Sequence, residues 1–230
     1  MLLDLLFPKK CVSCARVGSY LCQGCINNLN QSDLVCPKCE RLSLGGQTHP
    51  ICWRKFGLDG LWFLGVYQDP LKKVIQVFKY KFVKGLGDLL VELILEYWAR
   101  YQPFVLDRIK ADQGKNWLVV SVPLHWYRQN WRDFNQAEII GKNLSQKLGL
   151  GFADALIRNR YTKPQARLKA ADRKSNIFGA FSIKNSSLLS SHPNILLIDD
   201  VWTTGSTLKE CGYILKRNGA KEVWALTLAR

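Results

Sequence analysis

The chain has 230 residues, 47% of them hydrophobic, which is enough for one α/β domain and a small appendage. Its eight tryptophans exclude a disordered chain, because disordered segments are poor in aromatics. A net charge of +15 points to a polyanionic partner, such as nucleic acid, a phosphorylated substrate or an anionic membrane surface, with a merely soluble basic protein as the alternative.

The first eight residues, Met1 to Pro8, lack a basic leader and are interrupted by Asp4, so no export signal is expected. No stretch approaches the roughly 20 apolar residues that cross a bilayer. Seven of the eight cysteines precede Trp53. A disulfide-stapled module would need an oxidising compartment, so the expectation is a cytoplasmic protein with reduced thiols. Residues 1–56 read as one module and 57–230 as a second domain.

Within the module, Cys11/Cys14, Cys22/Cys25 and Cys36/Cys39 are C-x-x-C pairs, and His49/Cys52 is an H-x-x-C pair. Two intervening residues let one tight turn aim both donors at one metal, and two pairs complete a tetrahedron around zinc. Eight donors make up to two sites, grouped either sequentially or with the first pair joined to the third. A ribbon this short has little core, so the metal supplies folding energy. Contact with nucleic acid or a partner is the functional alternative.

The run Leu61 to Tyr67 reads as a strand. Two amphipathic helices are expected from about Pro70 to Phe82 and from Leu86 to Arg100. The polar segment from about Pro103 to Lys115 is expected to be a surface connection. Trp117 to Val122 is a second strand, rich in β-branched residues and stopped by Pro123. Phe134 to Leu148 has helical spacing. Ile195 to Ile198 reads as a buried strand, Ser206 to Asn218 as a helix with Gly219 placed to end it, and Val223 to Leu228 as a last strand. Cys211 lies at an apolar position of that last helix, as a small buried residue. Strands alternating with helices imply a parallel sheet covered on both faces.

The segment Ile195 to Thr207 carries the most chemistry. A buried strand ends in Asp199 and Asp200, and a loop of Thr203, Thr204, Gly205, Ser206 and Thr207 opens a helix. Ligands of open α/β sheets bind beyond the carboxyl ends of strands. Helix N-termini offer free N–H groups to phosphate. Gly205 lets the backbone approach, and the hydroxyls add donors. Two adjacent carboxylates suit ribose hydroxyls or the shell of a magnesium ion. No G-x-x-x-x-G-K-[ST] or G-x-G-x-x-G pattern is present.

This loop resembles the phosphoribosyl pyrophosphate (PRPP) motif of type I phosphoribosyltransferases over all thirteen positions. In that family the paired acids meet the ribose hydroxyls and the loop holds the 5′-phosphate. With the cysteine module in front, the whole chain resembles the ComF family of competence proteins. The matches are Lys79-Tyr80-Lys81; Val122-Pro123-Leu124-His125 with Arg128; Arg132, Phe134, Asn135 and Gln136, with Asp133 where glycine is usual; and Thr162, Pro164, Gln165, Leu168, Arg173, Asn176 and Gly179 to Phe181. The resemblance implies a type I phosphoribosyltransferase-like domain behind a zinc ribbon, and a role in DNA uptake with single-stranded DNA as ligand. It also implies PRPP with magnesium in the pocket, and other competence or recombination proteins as partners. An active phosphoribosyltransferase of nucleotide salvage and an adaptor with a relict pocket are the alternatives.

Basic residues concentrate in 158–184, with Arg158, Arg160, Lys163, Arg167, Lys169, Arg173, Lys174 and Lys184 against Asp172 alone. Such a segment can stabilise departing pyrophosphate, track a DNA backbone or form a solvated face. A second cluster, Trp126, Tyr127, Arg128, Trp131, Arg132 and Phe134, alternates aromatic and cationic groups as single-strand binders do; Trp131 and Phe134 equally suit packing. Candidate DNA contacts are therefore Lys79, Lys81, Arg128, Arg132, Arg158, Arg160, Arg167 and Arg173. Arg128, Arg132 and Arg173 double as candidates for assisting catalysis. His125 has no partner that would make a nucleophile–base pair.

Overall fold

The computed structural model describes residues 8–80, 84–101, 103–124, 134–160 and 177–230. Its centre is a five-stranded, wholly parallel sheet. The strands are β1 (Gly60–Gly65), β2 (Trp117–Ser121), β3 (Gly151–Ala153), β6 (Asn194–Val201) and β7 (Val223–Ala229), in the order β1-β7-β6-β2-β3. A separate antiparallel pair, β4 (Leu156–Arg158) and β5 (Phe181–Ile183), stands apart from it. The helices are α1 (Gln23–Asn27), α2 (Leu71–Tyr80), α3 (Lys84–Tyr101), α4 (Phe104–Ala111), α5 (Gln136–Leu148) and α6 (Ser206–Arg217). The parallel α/β architecture expected from the alternating pattern is the one formed.

Strand periodicity divides the core. Leu196 and Ile198 of β6 point to one face, with Trp62, Phe78, Leu90, Trp98 and Ile140. Ile195 and Leu197 point to the other, with Phe63, Leu156, Phe181, Trp202, Cys211 and Leu215. Both faces are buried, which is why the strands read as continuous apolar runs. In α2, Leu71, Val74, Ile75 and Phe78 form the buried stripe that helical spacing requires. Helix α5 is capped at both ends: Asn135 accepts from the Ala137 N–H, and Gly149 adopts the left-handed conformation at φ 67°.

Two findings differ from expectation. The segment after Pro103 is not a plain surface connection; its residues Phe104–Ala111 form α4, with Val105 and Ile109 buried one turn apart. Two apolar anchors among charged neighbours are too few to stand out as a helical pattern. Strands β3, β4 and β5 have three residues each, too short for a period to be seen. Helix α2 is described only to Tyr80, and Phe82 lies outside the described residues.

Candidate functional site: the loop after β6 and the cysteine clusters

Parallel strand β6 delivers Asp199 and Asp200 to its carboxyl end, and the chain turns through Thr203 to Gly205 into α6. Asp199, Thr203, Gly205, Ser206 and Thr207 line one shallow depression. The Thr204 and Ser206 hydroxyls lie 2.8 Å apart, and Thr204 Oγ1 accepts from the Ser206 N–H at 3.4 Å. Gly205 takes φ 67°. A Cβ there would come within 2.2 Å of the Trp202 ring. Glycine is thus required by conformation and by the tryptophan packed beneath the loop, besides any ligand above it.

The two acids are not equivalent. Asp200 pairs with Lys79 at 2.7 Å, so the candidate DNA contact Lys79 is engaged inside the site. Asp199 Oδ1 accepts from the Asp200 N–H at 2.8 Å. Burial, reinforced by the neighbouring Asp200 carboxylate, pushes the Asp199 carboxyl up to about 7, against the opposing pull of Lys79 and Arg158. Arg158 is itself buried, its guanidinium 5.2 Å from the centre of the Phe181 ring. It therefore faces inward rather than tracking a surface. Arg160 is exposed and donates to the Phe178 carbonyl at 2.8 Å. Lys81, His125, Trp126, Tyr127, Arg128, Trp131, Arg132, Lys163, Arg167, Lys169, Arg173 and Lys174 lie outside the described residues.

The cysteines settle into two clusters in sequential grouping: Cys11, Cys14, Cys22 and Cys25, then Cys36, Cys39, His49 and Cys52. The ligand atoms of each lie within 4.8 Å of one another. A tetrahedral site with Zn–S bonds of ~2.3 Å has sulfur–sulfur edges of about 3.8 Å. The Cys11–Cys25 and Cys14–Cys22 sulfurs are 3.7 and 3.5 Å apart. In the second cluster Cys39 Sγ lies 3.4 Å from His49 Nδ1, while His49 Nε2 contacts the Leu42 carbonyl at 2.9 Å. An N–H on Nε2 donating to that carbonyl leaves the Nδ1 lone pair for a metal.

The thiols also conflict electrostatically. Burial pushes Cys11 up, but hydrogen bonds from Cys14, Cys22 and Ser13 outweigh it and bring Cys11 down to about 6. Burial and neighbouring cysteine side chains push Cys25 up to about 12, and burial with Cys39 and Cys36 pushes Cys52 up to about 11. Four cysteines in one cluster, and three with a histidine in the other, are donor sets that fit zinc, which would relieve this crowding. Cys211 is the exception: it is buried in α6 with its thiol raised well above normal by burial, as its apolar position implied.

The second cluster reaches the loop after β6. Glu40, immediately after Cys39, lies 3.8 Å from Lys209 and 3.3 Å from Arg230. Lys209 in turn donates to the Thr204 carbonyl at 3.0 Å and sits 4.9 Å from the centre of the Trp202 ring. Nothing in the spacing of these residues announces that contact.

No protein-family profile matches the chain. Competence protein F of Haemophilus influenzae is 30% identical over 97% of this chain and 98% of its own length. The chain belongs to the ComF family of competence proteins. DNA utilization protein YhgH of Escherichia coli K12 is 31% identical over 94% of this chain and 87% of its own. Competence protein ComFC of Bacillus subtilis is 28% identical over 91% and 84%. Among solved structures, the allosteric regulatory enzyme of purine biosynthesis covers 48% of the chain at 21% identity with a TM-score of 0.31, too slight to carry an argument.

Part of the ComF pattern acquires a mechanical meaning here. Asn135 donates to the Val122 carbonyl at 3.0 Å while capping α5, tying the exit of β2 to that helix. Gln136 donates to the Lys79 carbonyl at 3.2 Å and so holds the end of α2 from which Lys79 reaches Asp200. The asparagine–glutamine pair positions a lysine in the site. Phe134 packs 6.3 Å from Phe78, ring centre to ring centre. Among the described residues no helix is long and apolar enough to cross a membrane.

Proposed function

We propose that this ComF protein handles single-stranded DNA during DNA uptake and that the loop after β6 binds the 5′-phosphate and ribose of PRPP or a related phosphoribosyl ligand. The arrangement of Asp199 beside the hydroxyls of Thr203, Ser206 and Thr207 at the start of the 12-residue helix α6 is the observation that carries the reading. Backbone N–H groups and the positive helix end suit the phosphate, and the carboxylate suits the ribose hydroxyls. Magnesium would arrive with the pyrophosphate. The net charge of +15 supports a polyanion, and relatives named for competence and DNA utilization support the uptake role. Lys81, Arg128, Arg132, Arg160, Arg167 and Arg173 are the proposed backbone contacts. Two zinc ions complete the module of residues 1–56, in a reducing, cytoplasmic setting.

Calorimetric titration of PRPP with magnesium, with and without a single-stranded oligonucleotide, tests the pocket. Saturable binding is expected, and heat without pyrophosphate release assigns a regulatory rather than a transferring pocket. Absence of binding by the intact, zinc-loaded chain overturns the assignment. DNA affinity is expected to fall steeply with salt, since each neutralised phosphate releases counterion; a flat response refutes an electrostatic groove.

A further inference from the structure

The chain leaves the second cysteine cluster along α6. Trp53, immediately after Cys52, lies 5.8 Å from Lys216, ring centre to ammonium. Phe56, one step on, meets Tyr213 edge-to-face at 5.9 Å and 84°. Residues 53 and 56 thus match 216 and 213 as two rungs of one ladder. The Trp53 indole N–H donates to Asp59 at 3.3 Å, and Asp59 pairs with the buried Lys216 at 2.7 Å, which fixes the ring. Yet Trp53 remains 50% exposed.

Packing alone does not account for this. The close apolar contact between this segment and α6 is made by Leu58, which closes on Gly212 so tightly that a Cβ there would meet it at 2.5 Å. The cations around the rings are arranged for something else. Lys55 lies 5.4 Å from the centre of the Phe56 ring, and Arg217 lies 5.7 Å from that of Tyr213 while donating to its hydroxyl at 3.1 Å. Lys55, Arg54 and Arg217 are exposed, and none has a carboxylate partner among the described residues. Asp59, at the ridge, is neutralised by Lys216. An aromatic row in which Trp53 is half-exposed and Phe56 and Tyr213 partly exposed, each ring with a cation over it, on a chain of charge +15, is complementary to stacked bases and a phosphate backbone.

We propose that Trp53, Phe56 and Tyr213, flanked by Lys55 and Arg217, form a single-stranded nucleic-acid platform on the seam between the cysteine module and α6. It is separate from the basic segments picked out in the sequence. The inference rests on the DNA-handling role proposed above and specifies a surface for it.

The test uses the full zinc-loaded chain and a labelled oligo-dT, read by fluorescence anisotropy across a salt series. Trp53→Ala is expected to weaken binding roughly tenfold, within the range for one lost stack, and Trp53→Phe to restore most of it. The double variant K55E/R217E changes only exposed groups and is expected to reduce the salt slope by about 1.4, near 0.7 per lost phosphate contact on a single strand. Cross-linking of a bromodeoxyuridine oligonucleotide is expected to label peptides spanning 53–56 or 213–217. If the wild type binds while all three variants bind equally well and cross-links fall elsewhere, the ridge is refuted as a nucleic-acid surface, and a protein partner takes its place. If the wild type does not bind at all, the DNA-handling reading falls with it.

Discussion

The two cysteine clusters share the two-residue spacing within each donor pair and have opposite structural roles. Cys11 and Cys22 lie inside the larger core beside Leu21, Leu29, Trp62 and Leu86, so the first cluster is continuous with the sheet's packing. The second contributes little to either core, Val35 and Leu58 being its neighbours that do. Polar contacts attach it instead: Glu40 to Lys209 and Arg230, Asp59 to Lys216, and the Thr48 hydroxyl to the Leu58 carbonyl at 2.6 Å. A metal site built into a core fixes whether the chain folds. One strapped to α6 fixes how well the loop before that helix is held.

Breaking the first cluster is therefore expected to have the largest effect. A structural zinc site contributes on the order of 10 kcal/mol in small fingers, comparable with the whole stability of about 5–15 kcal/mol expected of a domain. Cys22→Ser should abolish cooperative thermal unfolding followed by circular dichroism. Cys52→Ser in the second cluster should leave a cooperative transition, lowered by several degrees, and weaken PRPP binding measured by calorimetry. Equal loss of fold in the two variants would erase the distinction.

The unequal acids give a prediction that separates function from stability. Asp199 is raised in the fold to about 7 from the ordinary 3.8, chiefly by burial. The folded state therefore holds a proton that the unfolded chain releases, so this group's contribution falls as pH rises from about 4 through 7 and is flat above. Asp199→Asn keeps an acceptor for the Asp200 N–H, removes that fall and should raise the melting temperature at pH 8. The same change should abolish PRPP binding. A variant that gains stability and loses ligand marks a residue kept for binding at the expense of the fold. Unchanged stability across that pH range would refute the burial argument, and retained binding would refute the ribose assignment.

What could be read along the chain, and what could not, follows the same division. The run Ile195 to Ile198, the acids after it and the glycine before α6 are local, and local patterns survive in a sequence. The pairing of four C-x-x-C-like units was undecided until the chain brought Cys11 to Cys25 and Cys39 to His49. Lys79 meeting Asp200, Gln136 holding the end of α2, and Trp202 lying under Gly205 depend on elements packed together by the sheet. No spacing encodes them. Helix α4 is hard to read for a different reason: only Val105 and Ile109 are fully buried, with Phe104 and Leu106 partly covered, so no clean helical stripe stands out.

The smallest expected effect tests the link between the second cluster and the loop. Glu40→Gln removes two partly exposed ion pairs, at 3.8 Å to Lys209 and 3.3 Å to Arg230, so the cost in stability should stay at or below about 1 kcal/mol. Lys209 would keep its bond to the Thr204 carbonyl but lose the carboxylate that helps hold it there, despite the burial that opposes its charge. PRPP affinity should then fall a few-fold with zinc content unchanged. Lys209→Met, which also removes the bond to Thr204, should fall further, and the double variant should be no worse than Lys209→Met alone. Additive losses would mean that Glu40 acts elsewhere, through Arg230, and that the second cluster braces the end of β7 rather than the loop after β6.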